Sequence, residues 1–183
     1  EWVRQYPHQF SGGMQQRVEV AIGLSCHPHL LLADEPTTAL DVTMQAQVLD
    51  LIADLMEENN TALLLITHNL AVVAETCDNV AVIYGGEIVE YGSKRDIFKN
   101  PSHPYTIGLL NALPDISSKA DLIPIEGIMP DPSELPEGCK FHTRCPYATD
   151  ICSSGPVPVI ELGGIHKCQC HNMDAVKGRS AEH

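Results

Sequence analysis

Short apolar runs alternate with amphipathic stretches over residues 8–100, which predicts an α/β fold with a mostly parallel sheet. Apolar runs at residues 30–33, 62–66 and 80–84 each predict a buried strand. The first ends at the polar Asp34-Glu35-Pro36, and the second ends at Thr67-His68. After the third, Gly85-Gly86 predicts a tight turn into a short hairpin strand over residues 88–91.

Two helices are predicted, one before the first strand and one between the first and second strands. Ser11 suits the N-cap of the first, whose apolar positions are Val18, Ala21 and Ile22. The second follows a helical stripe that Asn59-Asn60 end; its apolar members are Val48, Leu49, Ile52, Leu55 and Met56.

The amino-acid composition changes beyond residue 99, where seven prolines lie from Pro101 to Pro136. Such a stretch predicts an irregular connector, with one short helix near residues 105–113. A cysteine-rich segment and a polar, mobile tail from Asn172 are expected to follow. The predicted division is residues 1–98, 99–138, 139–171 and 172–183.

The charge of the chain narrows the classes of partner. Eleven Lys and Arg against 24 Asp and Glu give −13, which argues against nucleic acid and anionic lipid as partners. Nucleotide binding stays open, since backbone amides and a metal ion supply positive charge locally. No run reaches the roughly 18 to 20 apolar residues of a membrane span, and no signal pattern begins the chain. We expect a soluble chain whose membrane association comes through a partner.

Polar side chains end two of the predicted strands. Because ligands bind at the carboxyl ends of strands in open α/β sheets, Asp34, Glu35 and His68 are expected to converge. Asp34 suits a Mg²⁺ ion, Glu35 an attacking water molecule, and His68 a phosphoryl group or that water. The alternative is that the two acids form a helix-capping pair and that His68 is a surface residue.

Ser11-Gly12-Gly13 begins the first predicted helix. Glycines allow the backbone to approach a ligand closely, and the free amides of a helix N-terminus favour phosphate. An ordinary turn and cap is the alternative.

Four segments in this order closely resemble the ABC ATPase family: Phe10–Val18, Leu30–Pro36, Thr38–Asp41 and Thr67–His68. In that family's terms they resemble the signature loop, the Walker B strand with its catalytic glutamate, the D-loop and the switch histidine. Met14 stands where the commonest signature has Gln, as it often does in peptide-importer subunits.

The resemblance implies the C-terminal portion of an ABC-type P-loop ATPase domain that works as a dimer, with ATP and Mg²⁺. It makes Glu35 and His68 catalytic and Asp34 the Mg²⁺ residue. The residues that contact ATP, in part across the dimer, would be Ser11, Gly12, Gly13, Met14 and Asp41. The phosphate-binding pattern G-x-x-x-x-G-K-[ST] does not occur in this sequence. We therefore expect ATP hydrolysis by the full-length protein and little or none by these 183 residues.

Five of the seven cysteines lie between Cys139 and Cys170, which favours a metal site over a disulfide framework in a reducing compartment. Zinc modules usually contain C-x-x-C pairs, and this sequence contains none. Iron–sulfur ligation tolerates wider spacing. Zinc or free thiols remain the alternative. Cys26 and Cys77 fall within predicted helices and are expected to be small core residues.

The segments around Asn100-Pro101, His103–Thr106, Gly138-Cys139 and Arg144–Pro146 resemble the C-terminal extension of oligopeptide/dipeptide importer ATPases. That resemblance implies a small Cys-rich extension holding a 4Fe-4S cluster. Since the family's last ligand directly precedes a histidine, it selects Cys170, before His171, over Cys168. The implied ligands are Cys139, Cys145, Cys152 and Cys170.

The expected function is therefore ATP hydrolysis that powers import of oligopeptides, dipeptides or related solutes. The resemblance implies a peripheral protein at the cytoplasmic face of the cell membrane. Its partners would be a second ABC ATPase subunit, identical or not, transmembrane permease subunits and, through them, an extracytoplasmic solute-binding protein. Two alternatives are a stand-alone metal-binding or regulatory module with a vestigial ATPase half, and an ABC ATPase of DNA-repair type. The charge of −13 and the lack of C-x-x-C pairs disfavour the latter.

Overall fold

A computed structural model of the chain describes residues 4–38, 40–113 and 124–180. The chain forms two compact units, Glu1–Cys77 and Asp78–His183. The first unit contains α1 (Gly12–Leu24), β1 (Leu30–Asp34), α2 (Val42–Asn59), β2 (Ala62–Ile66) and α3 (Leu70–Thr76). The second contains β3 (Asn79–Tyr84), β4 (Glu87–Ser93), α4 (Lys94–Lys99), α5 (Pro104–Asn111), β5 (Val159–Gly163), β6 (His166–Gln169) and α6 (Met173–Ser180).

In the first unit, β1 and β2 pair in parallel through the crossover helix α2, as predicted for these two strands. Their register runs from Leu30 opposite Ala62 to Asp34 opposite Ile66. Both strands therefore end at the same edge of the sheet. The Glu35 amide extends the pairing by donating to the Ile66 carbonyl at 2.8 Å.

Helix α2 is held at both ends by local signals. Asp41 caps its first turn, where the carboxylate accepts from the Met44 amide at 2.9 Å. Asn60 ends it in the left-handed region, with φ of 49°. The predicted stripe faces inward, and the core of the unit consists of Val20, Val48, Ile52 and Met56.

Helix α1 forms where predicted, but its apolar positions do not make up its buried face. Val18 is 42% exposed and Ile22 is 67% exposed, whereas Gly13 and Val20 are buried. Gly13 lies so close to the Met44 side chain of α2 that a Cβ there would overlap it. Helix α1 therefore turns inward the face that carries Gly13 and Val20, and a count of apolar residues does not indicate that face.

One face of the β1–β2 sheet carries apolar side chains that remain largely exposed. Its members are Leu30, Leu32, Leu64 and Ile66. On the other face, Leu31 and Leu63 pack against the core. The two strands form where predicted, but their expected burial on both faces is wrong in the described structure.

The second unit is built on an antiparallel sheet with strand order β3-β4-β6-β5. Gly85 and Gly86, with φ of 56° and 81°, form the predicted turn between β3 and β4. Strands β3 and β4 form the predicted hairpin, so within residues 8–100 one strand pair is parallel and the other antiparallel, where a mostly parallel sheet was expected. Strand β4 also pairs with β6 from the cysteine-rich region.

Short helices complete the second unit. Ser93 and Asp96 form a reciprocal capping box at the start of α4, and their spacing of three fits the S-x-x-D pattern of such a box. Helix α5 occupies the predicted position after Pro101. Residues 173–180, assigned by sequence to a mobile tail, form α6, in which Met173 and Val176 are buried. No helix in the described ranges is long and apolar enough to cross a membrane.

Candidate functional site

A polar cleft of about 210 Å³ lies at the edge where β1 and β2 end. It is lined by Glu35, Thr37, Thr38, Gln45, Thr67, His68 and Asn69. Two predicted functional residues, Glu35 and His68, thus face the same space because they follow neighbouring parallel strands.

The backbone of Glu35 is strained. Its φ of 48° lies in the left-handed region that residues other than glycine rarely adopt. Such a conformation costs on the order of 1 to 3 kcal/mol and persists where surrounding contacts determine it. Two backbone hydrogen bonds hold this turn: the Glu35 amide donates to Ile66 at 2.8 Å, and the Thr38 amide donates to the Glu35 carbonyl at 3.1 Å.

The Glu35 carboxylate has a partner on each oxygen. His68 Nδ1 donates to Oε1 at 2.7 Å, and Thr38 Oγ1 donates to Oε2 at 3.0 Å. The hydrogen bond from His68 is the main reason that the pKa of Glu35 lies below its usual value; desolvation opposes the shift and Thr38 adds to it. The carboxylate is therefore ionised near neutral pH and remains accessible to water, as a residue that orients or deprotonates a water molecule must be.

The other predicted residues of this unit do not line the cleft. Asp41 caps α2. Ser11 is the N-cap residue of α1, where its carbonyl accepts from the Met14 and Gln15 amides at 2.9 and 3.0 Å. The predicted residues outside the cleft lining are Ser11, Gly12, Gly13, Met14, Asp34 and Asp41.

Sequence reasoning missed several polar residues of the cleft. Thr37, Thr38 and Asn69 belong to the loops that directly follow β1 and β2, and Gln45 lies in the first turns of α2. Their position in the sequence could have identified them, because loops that follow adjacent parallel strands meet at the same edge of the sheet.

A second candidate site lies in the second unit, where the four cysteines selected by sequence, Cys139, Cys145, Cys152 and Cys170, line one small cavity. Three histidines, two aromatic residues, a proline and an asparagine complete the walls: His103, His142, His171, Phe141, Tyr147, Pro104 and Asn172. Cys168 does not line the cavity and is buried in a core cluster with Cys170 and Met173.

Backbone contacts bring the distant cysteines together. The Cys139 amide donates to the Cys152 carbonyl at 2.9 Å. Gly138 makes this approach possible, because its φ is 63° and a Cβ would lie 2.5 Å from the Cys152 carbonyl oxygen. Asn172 joins the other segments: its side chain donates to the Tyr147 carbonyl at 2.8 Å, and its amide donates to Cys170 Sγ at 3.3 Å.

Burial raises the pKa of three of these thiols, Cys139, Cys145 and Cys170, and the pKa of Cys145 rises to about 11. All seven cysteines lie in the described ranges, and none forms a disulfide bond there. Within the same ranges, no group of three or more His, Cys, Asp or Glu side chains is arranged to hold a metal ion.

Two histidines of the cavity differ in their hydrogen bonding. His103 Nδ1 accepts from the Tyr105 amide at 3.1 Å, and burial lowers the pKa of His103 to about 4, which makes its ring neutral. The Nε2 atom of His171 is buried and has no hydrogen-bond partner in the described structure.

A buried carboxylate, Glu90, supports the wall of the cavity that contains His103. It accepts from the Ser102 and His103 amides at 2.8 and 2.9 Å and from His166 Nε2 at 2.8 Å. Strands β4 and β6 and the start of α5 are thereby joined at one side chain, which is 1% exposed.

The two remaining cysteines lie outside the cavity. Cys26 follows the end of α1 and is exposed, so its prediction as a core residue is wrong. Cys77 is half-buried at the C-cap of α3.

Two family models match the chain. The model for "ABC transporter" matches residues 1–38, and the model for "Oligopeptide/dipeptide transporter, C-terminal region" matches residues 89–152. The second match includes three of the four cavity cysteines.

Curated relatives are likewise oligopeptide or dipeptide transport proteins. The oligopeptide transport ATP-binding protein OppD of Salmonella typhimurium is 54% identical over 84% of this chain and 46% of its own length. AppD of Bacillus subtilis, also an oligopeptide transport ATP-binding protein, is 56% identical over 82% of this chain and 46% of its own length. The dipeptide transport ATP-binding protein DppD of Haemophilus influenzae is 46% identical over 97% of this chain and 54% of its own length.

The chain therefore spans about half the length of the curated relatives it matches. By these matches it is a homologue of the oligopeptide and dipeptide transport ATP-binding proteins.

Proposed function

We propose that the full-length protein is the ATP-hydrolysing subunit of an ABC importer for oligopeptides or dipeptides, peripheral at the cytoplasmic face of the membrane. The observation that carries this proposal is the contact of 2.7 Å between His68 Nδ1 and Glu35 Oε1 at the ends of two parallel strands. The homology to oligopeptide and dipeptide transport ATP-binding proteins supports the substrate class.

In this proposal Glu35 orients and deprotonates the attacking water, because its ionised carboxylate is exposed in the cleft. His68 positions Glu35 through Nδ1, which leaves Nε2 for the phosphoryl group. Asp34, at the end of β1, is assigned to a Mg²⁺ ion that neutralises phosphate charge.

The residues outside the cleft are assigned to ATP held by a second ABC ATPase subunit. Ser11, Gly12, Gly13 and Met14 lie at the N-terminal end of α1, where free amides favour phosphate. Asp41 is assigned to the same nucleotide. The further partners are permease subunits and, through them, an extracytoplasmic solute-binding protein.

Substitution of Glu35 by Gln in the full-length protein tests the catalytic assignment. Turnover should fall by about 100-fold or more, because the amide keeps the shape but loses the basic carboxylate. ATP affinity should be retained. Phosphate release and nucleotide binding are measured on the same preparation.

The matched control is Glu58→Gln, which removes an exposed carboxylate near the end of α2. Its turnover should equal that of the unsubstituted protein. Hydrolysis by Glu35→Gln within about threefold of that value would assign the water to another group.

We also propose that the cavity cysteines hold a 4Fe-4S cluster, with zinc as the alternative. Four thiols facing one cavity support this assignment. Each cysteine of a cubane binds a different iron atom, so the four sulfurs surround the cluster and do not converge on a single metal position. A bound cluster would supply one-electron chemistry and link the segments that carry its ligands.

Anaerobic purification with iron and sulfide analysis tests the metal. Cys145→Ala should lose the bound iron, because it removes a cavity thiol, whereas Cys26→Ala should keep it, because Cys26 is exposed in the other unit. Stoichiometric zinc without iron, from cells supplied with iron, would refute the cluster.

A further inference from the structure

His171 has unused hydrogen-bonding capacity at the cysteine cavity. Its Nε2 atom is buried without a partner in the described residues, and the residue lines the cavity directly after Cys170. Buried polar atoms are paired in the great majority of cases, so an unpaired one calls for a partner that belongs to the site.

Each neighbouring polar side chain already has at least one hydrogen-bond partner. His142 Nδ1 donates to the Cys139 carbonyl at 2.8 Å, and His103 Nδ1 accepts from the Tyr105 amide at 3.1 Å. The Asn172 side chain donates to Tyr147 O at 2.8 Å and to Cys152 Sγ at 3.4 Å. In the described ranges, one other buried side-chain nitrogen or oxygen has no hydrogen-bond partner, namely Thr106 Oγ1. Thr106 does not line this cavity.

We propose that His171 donates Nε2–H to a sulfur atom of the metal–thiolate group held by the cavity cysteines, and that it is a positioning residue and not a ligand. This inference rests on the metal proposed above. Cys170 already supplies a thiol from this segment, and its sulfur is fixed by the Asn172 amide. A thiolate or sulfide bound to a metal is a hydrogen-bond acceptor, which is the partner that Nε2 requires in the tautomer that carries its proton there.

The consequence is a measurable property of the bound group. Hydrogen bonds to cluster sulfurs are among the features that set reduction potential, and by stabilising the more negative, reduced state they raise it. Loss of such outer contacts typically weakens metal affinity by about 10- to 100-fold.

The test uses the full-length protein loaded anaerobically with iron and sulfide. His171→Leu and His171→Phe remove the donor while filling its space, and His171→Gln keeps an N–H donor. His29→Gln, an exposed histidine in the other unit, is the matched control. The readouts are reduction potential by voltammetry and resistance of bound iron to a chelator, measured on each variant whose circular dichroism matches the unsubstituted protein.

The apolar variants should bind iron with a more negative potential and about 10- to 100-fold weaker retention. His171→Gln should lie close to the unsubstituted protein, and His29→Gln should equal it. Unchanged potential and retention in the apolar variants overturn the role of His171 alone. Loss of iron from all three His171 variants would show that His171 is a ligand of the metal, and it would also overturn the inference. Absence of iron and sulfide from the unsubstituted protein overturns the cluster itself, together with the inference.

Discussion

Glu35 is fixed by three different parts of the first unit. Its amide is bound by Ile66 of β2, its carboxylate by His68 after that strand, and its second oxygen by Thr38. A residue with so many constraints keeps an unfavourable φ because relaxing it would break several contacts at once. Strain and hydrogen bonding thus aim one carboxylate into the cleft.

The pKa of Glu35 provides a test at this scale. Because the hydrogen bond from His68 is the largest cause of the lowered pKa, His68→Ala should raise that pKa toward its usual range. Thr38→Val should raise it by less. Carboxyl ¹³C NMR titration of Glu35 measures both shifts, and a larger rise in Thr38→Val would contradict the ranking.

The same shift has a defined effect on stability. A lowered pKa in the folded state means that the ionised carboxylate stabilises the fold above the pKa of the unfolded chain. That contribution is lost as pH falls through the folded-state value. In His68→Ala the acid-side loss of stability due to Glu35 should therefore be smaller.

Among the turns of the second unit, Gly138 has the most demanding position. Its φ is 63°, and a Cβ would meet the Cys152 carbonyl oxygen at 2.5 Å and the Ser154 amide nitrogen at 2.8 Å. These are backbone atoms, so they cannot move aside as the end of a side chain can. The turn and the neighbouring pair of cysteine segments depend on this one glycine.

Gly138→Ala should therefore destabilise the protein by more than Gly155→Ala. Gly155 has a similar φ of 72° but no neighbour within 4 Å of an added Cβ, so it isolates the conformational cost, which is of order 1 kcal/mol. The difference between the two variants measures the steric contribution at Gly138. Urea unfolding followed by circular dichroism gives both values, and equal losses would show that the Cys139 and Cys152 segments can separate without cost.

Local signals predict the elements better than they predict burial. The apolar run of residues 62–66 predicts β2 with its observed bounds, and Asn60 ends α2 as expected. The inward face of α1 is not predictable from its own apolar residues, because Val18 and Ile22 are exposed while Gly13 and Val20 are buried. Helix α6 is missed because a short polar helix has little periodicity, and its two buried residues depend on the sheet and cysteine region of its unit.

For the whole molecule, order along the chain predicts one site, whereas for the cysteine site clustering indicates only a metal and a family resemblance is needed to select the four ligands. Glu35 and His68 meet because they end neighbouring parallel strands, which is a general property of such sheets. Nothing in the spacing of five, six and seventeen residues between the four cysteines indicates that they share a cavity. The pairing of β4 with β6 is equally hidden, since partners distant in sequence leave no periodic signal in either strand.

The pairing of β4 with β6 delays completion of this sheet during synthesis, because β6 lies far along the chain from β4. The β3–β4 hairpin can form as soon as Ser93 has been made, but the other edge of β4 stays unpaired until residues 94–165 and then β6 have been added. At about 5 to 20 residues per second, the delay is on the order of 4 to 14 seconds. An open strand edge can pair with a neighbouring chain, so nascent chains on one messenger are most exposed to mispairing during this interval.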